Sequence, residues 1–427
     1  MTGGRRPAAS AAVTTFATPV RLRHARLAVL AYFGVLGLVD GVWLSRIPAV
    51  KQNLGLSDGL LGVALLAAPT GLVLVAAFAD RLIDRFGSAR PTVAGAVAVC
   101  LLTVSLGLAG SLSVLMIALL CYGLASGLLD VAMNAQAVRV EREYRRPLIN
   151  SFHACYSFGG LLGALLGGLF AWEGIGPAPT FAAVGVPLAA LAVASRRGLL
   201  RGTESAGEQG PGQQDTDLAG QDMPGRAAAP GSGKAAALRI AALGLLALCS
   251  LLGEGAAGSW SAVYLRDSLG TSAAFAALGY AAFSVTMAAG RLFGDRLAAR
   301  FGPARLVSGC GLVAAAGLAG ALIEAGPAAG LIGFALFGAG LSSTFPQLLS
   351  AAGNVETRRS AGIARVAGAG YLGLLGGPVL IGGCASLIGL RLALGIPVVL
   401  MLFVAAGGRA AGRPRPAPRD AASPTRA

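Results

Sequence analysis

Charge is scarce in this chain. Of its 427 residues only 12% are Asp, Glu, Lys or Arg, with two histidines and just two lysines, Lys51 and Lys234, and aromatics make up 6%. Soluble domains average about 25% charged residues, so a water-exposed globule is excluded. The six cysteines (Cys100, Cys121, Cys155, Cys249, Cys310 and Cys384) stand singly in apolar stretches. With no Cys-x-x-Cys and no His cluster, neither a disulfide framework nor a metal centre is expected, and the thiols read as small packing residues. The chain also lacks a phosphate-binding glycine loop and a nucleophile elbow. An enzyme, a bound cofactor and ATP-driven transport are therefore not expected.

Apolar residues fill the space that charge leaves: 55% of the chain is hydrophobic, and the mean hydropathy is +0.71. Apolar runs read as twelve spans at 27–48, 58–79, 91–110, 113–138, 149–171, 179–195, 239–264, 273–293, 304–325, 328–351, 361–386 and 389–407. Most are long enough to cross a hydrocarbon core of ~30 Å at ~1.5 Å per residue, and the sixth is marginal. The predicted class is an all-α membrane protein.

The net charge of +15 could suggest nucleic acid, but its distribution argues for topology. With the N-terminus inside, the cytoplasmic segments and their flanks hold 30 of the 34 Lys and Arg residues, and the outward loops hold Arg46, Lys51, Arg266 and Arg391. That asymmetry predicts a multi-pass protein of the cytoplasmic membrane with both termini in the cytoplasm. No soluble basic domain or aromatic-interleaved basic stripe is present for nucleic acid to bind. Residues 1–26 read as an uncleaved cytoplasmic tail and 27–195 as a six-helix half. Residues 196–238, rich in Gly, Pro, Gln, Ser and Asp, read as a flexible cytoplasmic linker. Residues 239–407 form the second half, and 408–427 a basic tail that its arginines hold to an anionic leaflet.

An internal repeat relates the halves. The stretch from Ala79 to Arg90 aligns with Gly294 to Arg305, identical at eight of twelve positions at a shift of 215. The same shift puts Tyr156 on Tyr371 and Gly167-Gly168 on Gly382-Gly383, and a shift of 214 puts Asp40-Gly41 on Glu254-Gly255. Both basic loops fall on one side of the membrane, so the halves are parallel repeats about an axis along the membrane normal.

These features resemble the major facilitator superfamily of secondary transporters. The loop after the second span matches that family's Gly-x-x-x-Asp-Arg-x-Gly signature at Asp84, Arg85 and Gly87, with the basic Arg90 following. Asp80 replaces the opening Gly, and the second copy, with Asp295 and Arg296, has Ala299 in place of the Asp. Ser57-Asp58 and the run Asn150-Ser151-Phe152-His153-Ala154 resemble a bacterial branch that includes proteins associated with rhizopine metabolism. The fifth span reads Gly159-x-x-x-Gly163-Ala164-x-x-Gly167-Gly168, similar to an exporter motif but with Ala164 for its Pro. The fourth span lacks the embedded Arg of drug antiporters. The resemblance implies a twelve-helix fold in two parallel six-helix repeats and alternating access. It also implies a cytoplasmic latch in the basic loop, built on Asp80, Asp84, Arg85, Gly87, Arg90, Asp295 and Arg296, with Ser360 a candidate partner.

Ionisable residues in hydrocarbon cost from ~2.5 kcal/mol upward and need a reason. Asp40 and Glu254 sit midway along the first and seventh spans at equivalent positions. Few embedded cations are expected near them, and Arg46, six residues beyond Asp40, turns to another face. An unpaired acid in low dielectric takes up protons more readily than one in water. The pair therefore reads as proton-coupling or substrate-binding groups, or as carboxyls satisfied at helix crossings. Asp130 and Asn134, four apart, share a face that lines a cavity or glues helices together. His153 and Tyr156 share a face near the cytoplasmic side, where His153 serves either as a proton relay or as a packed side chain.

Trp43, Trp260 and Tyr264 lie near outward helix ends and read as interface anchors, with Trp43 and Trp260 alternatively stacking on a ring-shaped solute. Gly159, Gly163, Gly167, Gly168 and Gly377, followed by Pro378, suit close helix packing. The expected function is alternating-access transport of a small solute by a proton-coupled monomer in membrane lipid. Export of drugs or metabolites is the alternative to uptake of a sugar-like compound, and a non-transporting membrane sensor or assembly protein is the alternative of another class.

Overall fold

A computed structural model describes residues 19–145, 148–200, 232–355 and 359–412. Residues 1–18, 201–231 and 413–427, which hold most of the expected tails and linker, lie outside this description. Twelve helices are long and apolar enough to cross a membrane. The first half comprises α1 (Pro19–Asn53), α2 (Asp58–Leu65, then Ala67–Phe86), α3 (Ala89–Gly107), α4 (Leu112–Tyr144), α5 (Ile149–Trp172) and α6 (Pro177–Ser195). The second comprises α7 (Ser232–Val263, closed by a π-turn Tyr264–Ser268), α8 (Ala273–Phe301), α9 (Pro303–Glu324), α10 (Pro327–Leu341, then Thr344–Ala352), α11 (Arg359–Ile388) and α12 (Leu390–Ala393, then Gly395–Gly407). Helix α7 begins at Ser232, inside the stretch expected to be linker, and α4 runs to Tyr144, a turn and more beyond the apolar run.

Proline accounts for the three split helices. A proline ring displaces the carbonyl four residues before it and leaves that oxygen without its helical donor. Pro69, Pro346 and Pro397 stand four residues after Leu65, Ser342 and Ala393, where α2, α10 and α12 break. Pro48, Pro187 and Pro378 lie inside unbroken helices.

The repeat extends to the caps. Ser57 and Ser272, 215 apart, each cap a helix start, accepting from the backbone N–H of Leu60 at 3.3 Å and of Phe275 at 3.1 Å. Gly87 and Gly302, also 215 apart, end α2 and α8 with φ of 71° and 79°, a region L side chains enter at a cost. Arg85 and Arg300 lie over the rings of Phe86 and Phe301 at 5.3 and 5.4 Å. Two copies of one supersecondary unit therefore carry the same start, stop and surface stacking.

Within each half the central helices pack backbone to backbone. Gly37 and Gly41 of α1 meet the carbonyls of Tyr156 and Gly160 on α5, while Gly159 and Gly163 meet those of Gly34 and Leu38. Gly377 of α11 meets Leu252 of α7 in the same manner. Lipid supplies no hydrophobic drive between helices, so this close packing holds them together. The glycines expected to pack helices closely, Gly159, Gly163 and Gly167, face α1 of their own half, and Gly168 faces Ala277 of α8 across the interface.

Because each half has an even number of spans, Pro19, Leu200, Ser232 and Gly412 share one face, the terminal face. At the opposite, far face the halves close. The first piece of α2 packs on α11, where a methyl added at Gly62 would lie 2.9 Å from Gly382 Cα and one at Gly59 3.1 Å from Ser386 Cβ. Lys51 seals this edge, its ammonium 2.6 Å from Asp58 and 2.5 Å from Asp267 of the other half, while Gln52 donates to Asp267 at 3.2 Å. At the terminal face Gln136, fully buried, donates to Ser88 Oγ and the Leu200 carbonyl and accepts from the Leu200 N–H, pinning the chain beyond α6.

Candidate functional site

Between the halves lies a cavity of about 440 Å³ lined by α1, α2, α4, α5, α7, α8 and α11. Asp40 stands at its centre because Gly37 and Gly41 bring α1 against α5, within reach of Tyr156. Tyr156 Oη donates to Asp40 Oδ2 at 2.9 Å, and Tyr122 Oη, from α4, donates to Oδ1. Both carboxylate oxygens thus carry a phenol from a different helix, which stabilises the charge without a cation.

Glu254, the repeat partner of Asp40, is held differently. Its Oε1 lies 3.3 Å from Arg291 of α8, correcting the expectation of few embedded cations near it. Arg291 falls at the end of an apolar run, where it read as a loop flank. Tyr371, the repeat partner of Tyr156, lines the cavity but stacks near Phe345 at 6.4 Å between ring centres. Protonating Asp40 leaves two neutral phenols beside it; protonating Glu254 strands a guanidinium. The two acids occupy equivalent positions with unequal chemistry.

Asp130 lines the same cavity, and its Oδ1 accepts from Asn134 Nδ2 at 3.1 Å. Asn134 also donates to the Asp130 carbonyl at 2.9 Å and is turned onto its own helix, outside the cavity lining. Among the described lining residues, three acids (Asp40, Asp130 and Glu254) face one guanidinium, that of Arg291.

A second chamber of about 560 Å³ adjoins the first, sharing Ser157 and Arg291, and runs between α5, α8 and α10 in the half of the protein toward the terminal face. His153 lines it and packs edge-on against Phe33 at 5.1 Å. His153 and Tyr156, expected on one face, thus serve different chambers.

Trp43 is buried and lines the central cavity, with Phe181 at 6.2 Å. Trp260 and Tyr264 are fully buried, donating to the Pro378 carbonyl at 3.2 Å and the Ala321 carbonyl at 3.4 Å. None of the three is an exposed interface anchor, and Trp260 lies behind Pro378 rather than in the cavity lining. Gly167, Gly168 and Gly377 are packing residues by position, whereas Pro378 lines the cavity.

In the basic loop Asp84, Arg85, Arg90 and Arg296 are exposed, and among the described residues no side chain of the opposite half is bonded to Asp84. The side chains of Asp80, Asp295 and Ser360 lie outside the description. Sequence reasoning missed Tyr122, Arg291, Tyr280 and the Lys51 seal. Tyr122 is eight residues before Asp130, two turns up the same face, and Arg291 stands one turn before the repeated loop.

Two parallel six-helix repeats around a chamber that holds three acids in a largely apolar lining, closed at one face, define a carrier of the multi-pass membrane class. The comparisons make this specific: the family model described as Major Facilitator Superfamily matches residues 28–240 and 243–427, and the chain belongs to that superfamily. An uncharacterized MFS-type transporter of Yersinia pestis is 34% identical over 387 residues, covering 90% of this chain and 94% of its own. The membrane protein MosC of Rhizobium meliloti is 29% identical over 379 residues, 88% of each chain, in keeping with the branch resemblance. Among solved structures, a bacterial homolog to the human lysosomal transporter Spinster, inward-facing and unoccupied, superposes with a TM-score of 0.71 at 16% identity over 92% of this chain and 98% of that one. A D-xylose-proton symporter gives 0.67 at 15% identity over 91% and 97%.

Proposed function

We propose that this protein carries a small solute across the cytoplasmic membrane by alternating access, coupled to protons at Asp40. The observation that carries the reading is the Asp40 carboxylate, set between the halves and held by two neutral phenols. Protonation there changes the cavity's charge without stranding a cation, so it can bias the two-state equilibrium of the halves. The proton-symporter neighbour supports the coupling. With both termini cytoplasmic, as the 30 to 4 distribution of basic residues favours, the sealed far face is the outward one. The loop with Asp84, Arg85 and Arg90 then engages when the protein turns outward.

The lining favours a neutral polyhydroxylated or amine-bearing solute, since acids outnumber bases and the Trp43 ring and several tyrosines line the same cavity. An anionic solute would meet Asp40 and Asp130 unscreened. Counterflow of radiolabelled sugars, polyols and amines in vesicles, with an imposed pH gradient, tests the reading. Flux of one such solute is expected to follow the gradient and to lose that dependence in Asp40→Asn. Undiminished proton-coupled transport in an Asp40→Asn, Glu254→Gln double variant would overturn the assignment.

A further inference from the structure

We infer that one face of α4, bearing Tyr122, Ser126, Asp130 and Asn134 at intervals of four residues, is the route by which protons reach Asp40 from the terminal face. This rests on the proposal that Asp40 is the coupling acid. Residues four apart stack on a helix, each step rising ~6 Å. At the upper end Tyr122 Oη donates to Asp40 Oδ1. One turn below, Ser126 Oγ is buried, lines the cavity and lies against the Tyr122 phenol, oriented to donate to its oxygen. Another turn below, Asp130 Oδ1 is fixed by Asn134 at 3.1 Å while Oδ2 remains free toward the cavity.

The alternative routes are poorer. Each Asp40 oxygen already accepts from a phenol, so a proton handed on through Tyr122 arrives along a hydrogen bond that is in place. On its own helix Tyr156 has Phe152 and Gly160 four residues to either side, and His153, three residues before it, serves the other chamber. The other titratable groups around the cavity are Glu254 on α7, Tyr280 and Arg291 on α8, and Tyr371 on α11, with His153 in the adjoining chamber. Glu254 is committed to Arg291.

The relay balances as a chain of exchanges. A proton taken up on the Asp130 carboxylate passes to Ser126 Oγ, Ser126 gives its own proton to the Tyr122 oxygen, and Tyr122 gives its proton to Asp40 Oδ1. Each hydroxyl loses one proton and gains one, and one water spans the ~6 Å step between Asp130 and Ser126. The net change is one proton moved from Asp130 to Asp40.

The test is a laser pH jump on the purified full-length protein, read by tryptophan fluorescence, for which Trp43 beside Asp40 is the reporter. Wild type is expected to give a phase that Asp40→Asn abolishes. In Ser126→Ala and Asp130→Asn that phase keeps its amplitude but slows about tenfold, and Ser126→Thr restores the rate. Retained amplitude also shows that the variants are folded. Rates in Ser126→Ala and Asp130→Asn matching wild type would overturn the relay and leave the Asp40 assignment standing. Wild type and Asp40→Asn giving the same trace would overturn the Asp40 assignment, and the relay with it.

Discussion

Lys51 Nζ lies 2.5 Å from Asp267 Oδ2, joining the end of α1 to the turn after α7 across the two halves. With Asp58 at 2.6 Å on the same ammonium, the far face is closed by a charge cluster partly open to water. Partly exposed pairs contribute ~0.2–1 kcal/mol each, so Lys51→Ala should shift the ratio of far-closed to far-open protein several-fold rather than abolish closure. Spin labels at Gly110→Cys and Gly326→Cys, far-face loop positions of opposite halves with open space around them, report the separation by pulsed electron resonance. The long-distance population is expected to grow in Lys51→Ala. An unchanged distribution would remove Lys51 from the seal.

Behind that cluster the closure is steric. A methyl added at Gly382 would lie 2.7 Å from both Gly62 Cα and the Asp58 carbonyl oxygen, with the Trp260 ring at 3.0 Å. Backbone cannot retreat from such contacts as a flexible side chain can. Gly382→Ala should therefore favour the far-open state more strongly than Lys51→Ala in the same distance measurement. At Gly383, where a methyl meets open space, the alanine variant should behave as wild type.

The spans, the repeat and the central acids are legible in the sequence because each is a local or countable signal. Hydropathy marks twelve runs, a fixed shift pairs Asp40 with Glu254, and both face one cavity. What holds each acid is not legible in that way, since the partners come from other helices: Tyr122 is 82 residues from Asp40 and Arg291 is 37 from Glu254. The repeat itself misleads at this point. Tyr371 occupies the position of Tyr156 yet no hydrogen bond joins it to Glu254, because Arg291 has taken that place. Burial of Trp260 is illegible for a similar reason: a residue near a span end reads as interfacial until α11 is packed over it.

Gln136 offers a stability test separate from transport. Its amide is fully buried and makes three bonds, two of them to the backbone of Leu200. Replacing it by alanine leaves the buried Leu200 N–H unpaired, while the Leu200 carbonyl keeps only Arg139 at 3.2 Å, at a cost of about 1–3 kcal/mol. Gln136→Ala is expected to lower the thermal unfolding midpoint in detergent by several degrees while leaving solute affinity unchanged. A wild-type midpoint would mean that water replaces the amide freely.

Glu254 and Arg291 should behave as a pair whose sign matters less than its balance. Their side chains are 27% and 43% exposed, so the bond is screened and readily opened, as a solute entering either chamber would require. Removing one partner leaves the other's charge unbalanced in a cavity already rich in acid; removing both does not. Glu254→Gln and Arg291→Gln alone should each reduce counterflow several-fold, since the ~0.2–1 kcal/mol of a partly exposed pair is a factor of up to about five. The double variant should recover part of the rate and keep its dependence on the pH gradient, because Asp40 and its phenols are untouched. A double variant as inactive as the worse single one would assign Glu254 or Arg291 a direct bond to the solute. A double variant that loses gradient dependence would move the coupling site from Asp40 to Glu254.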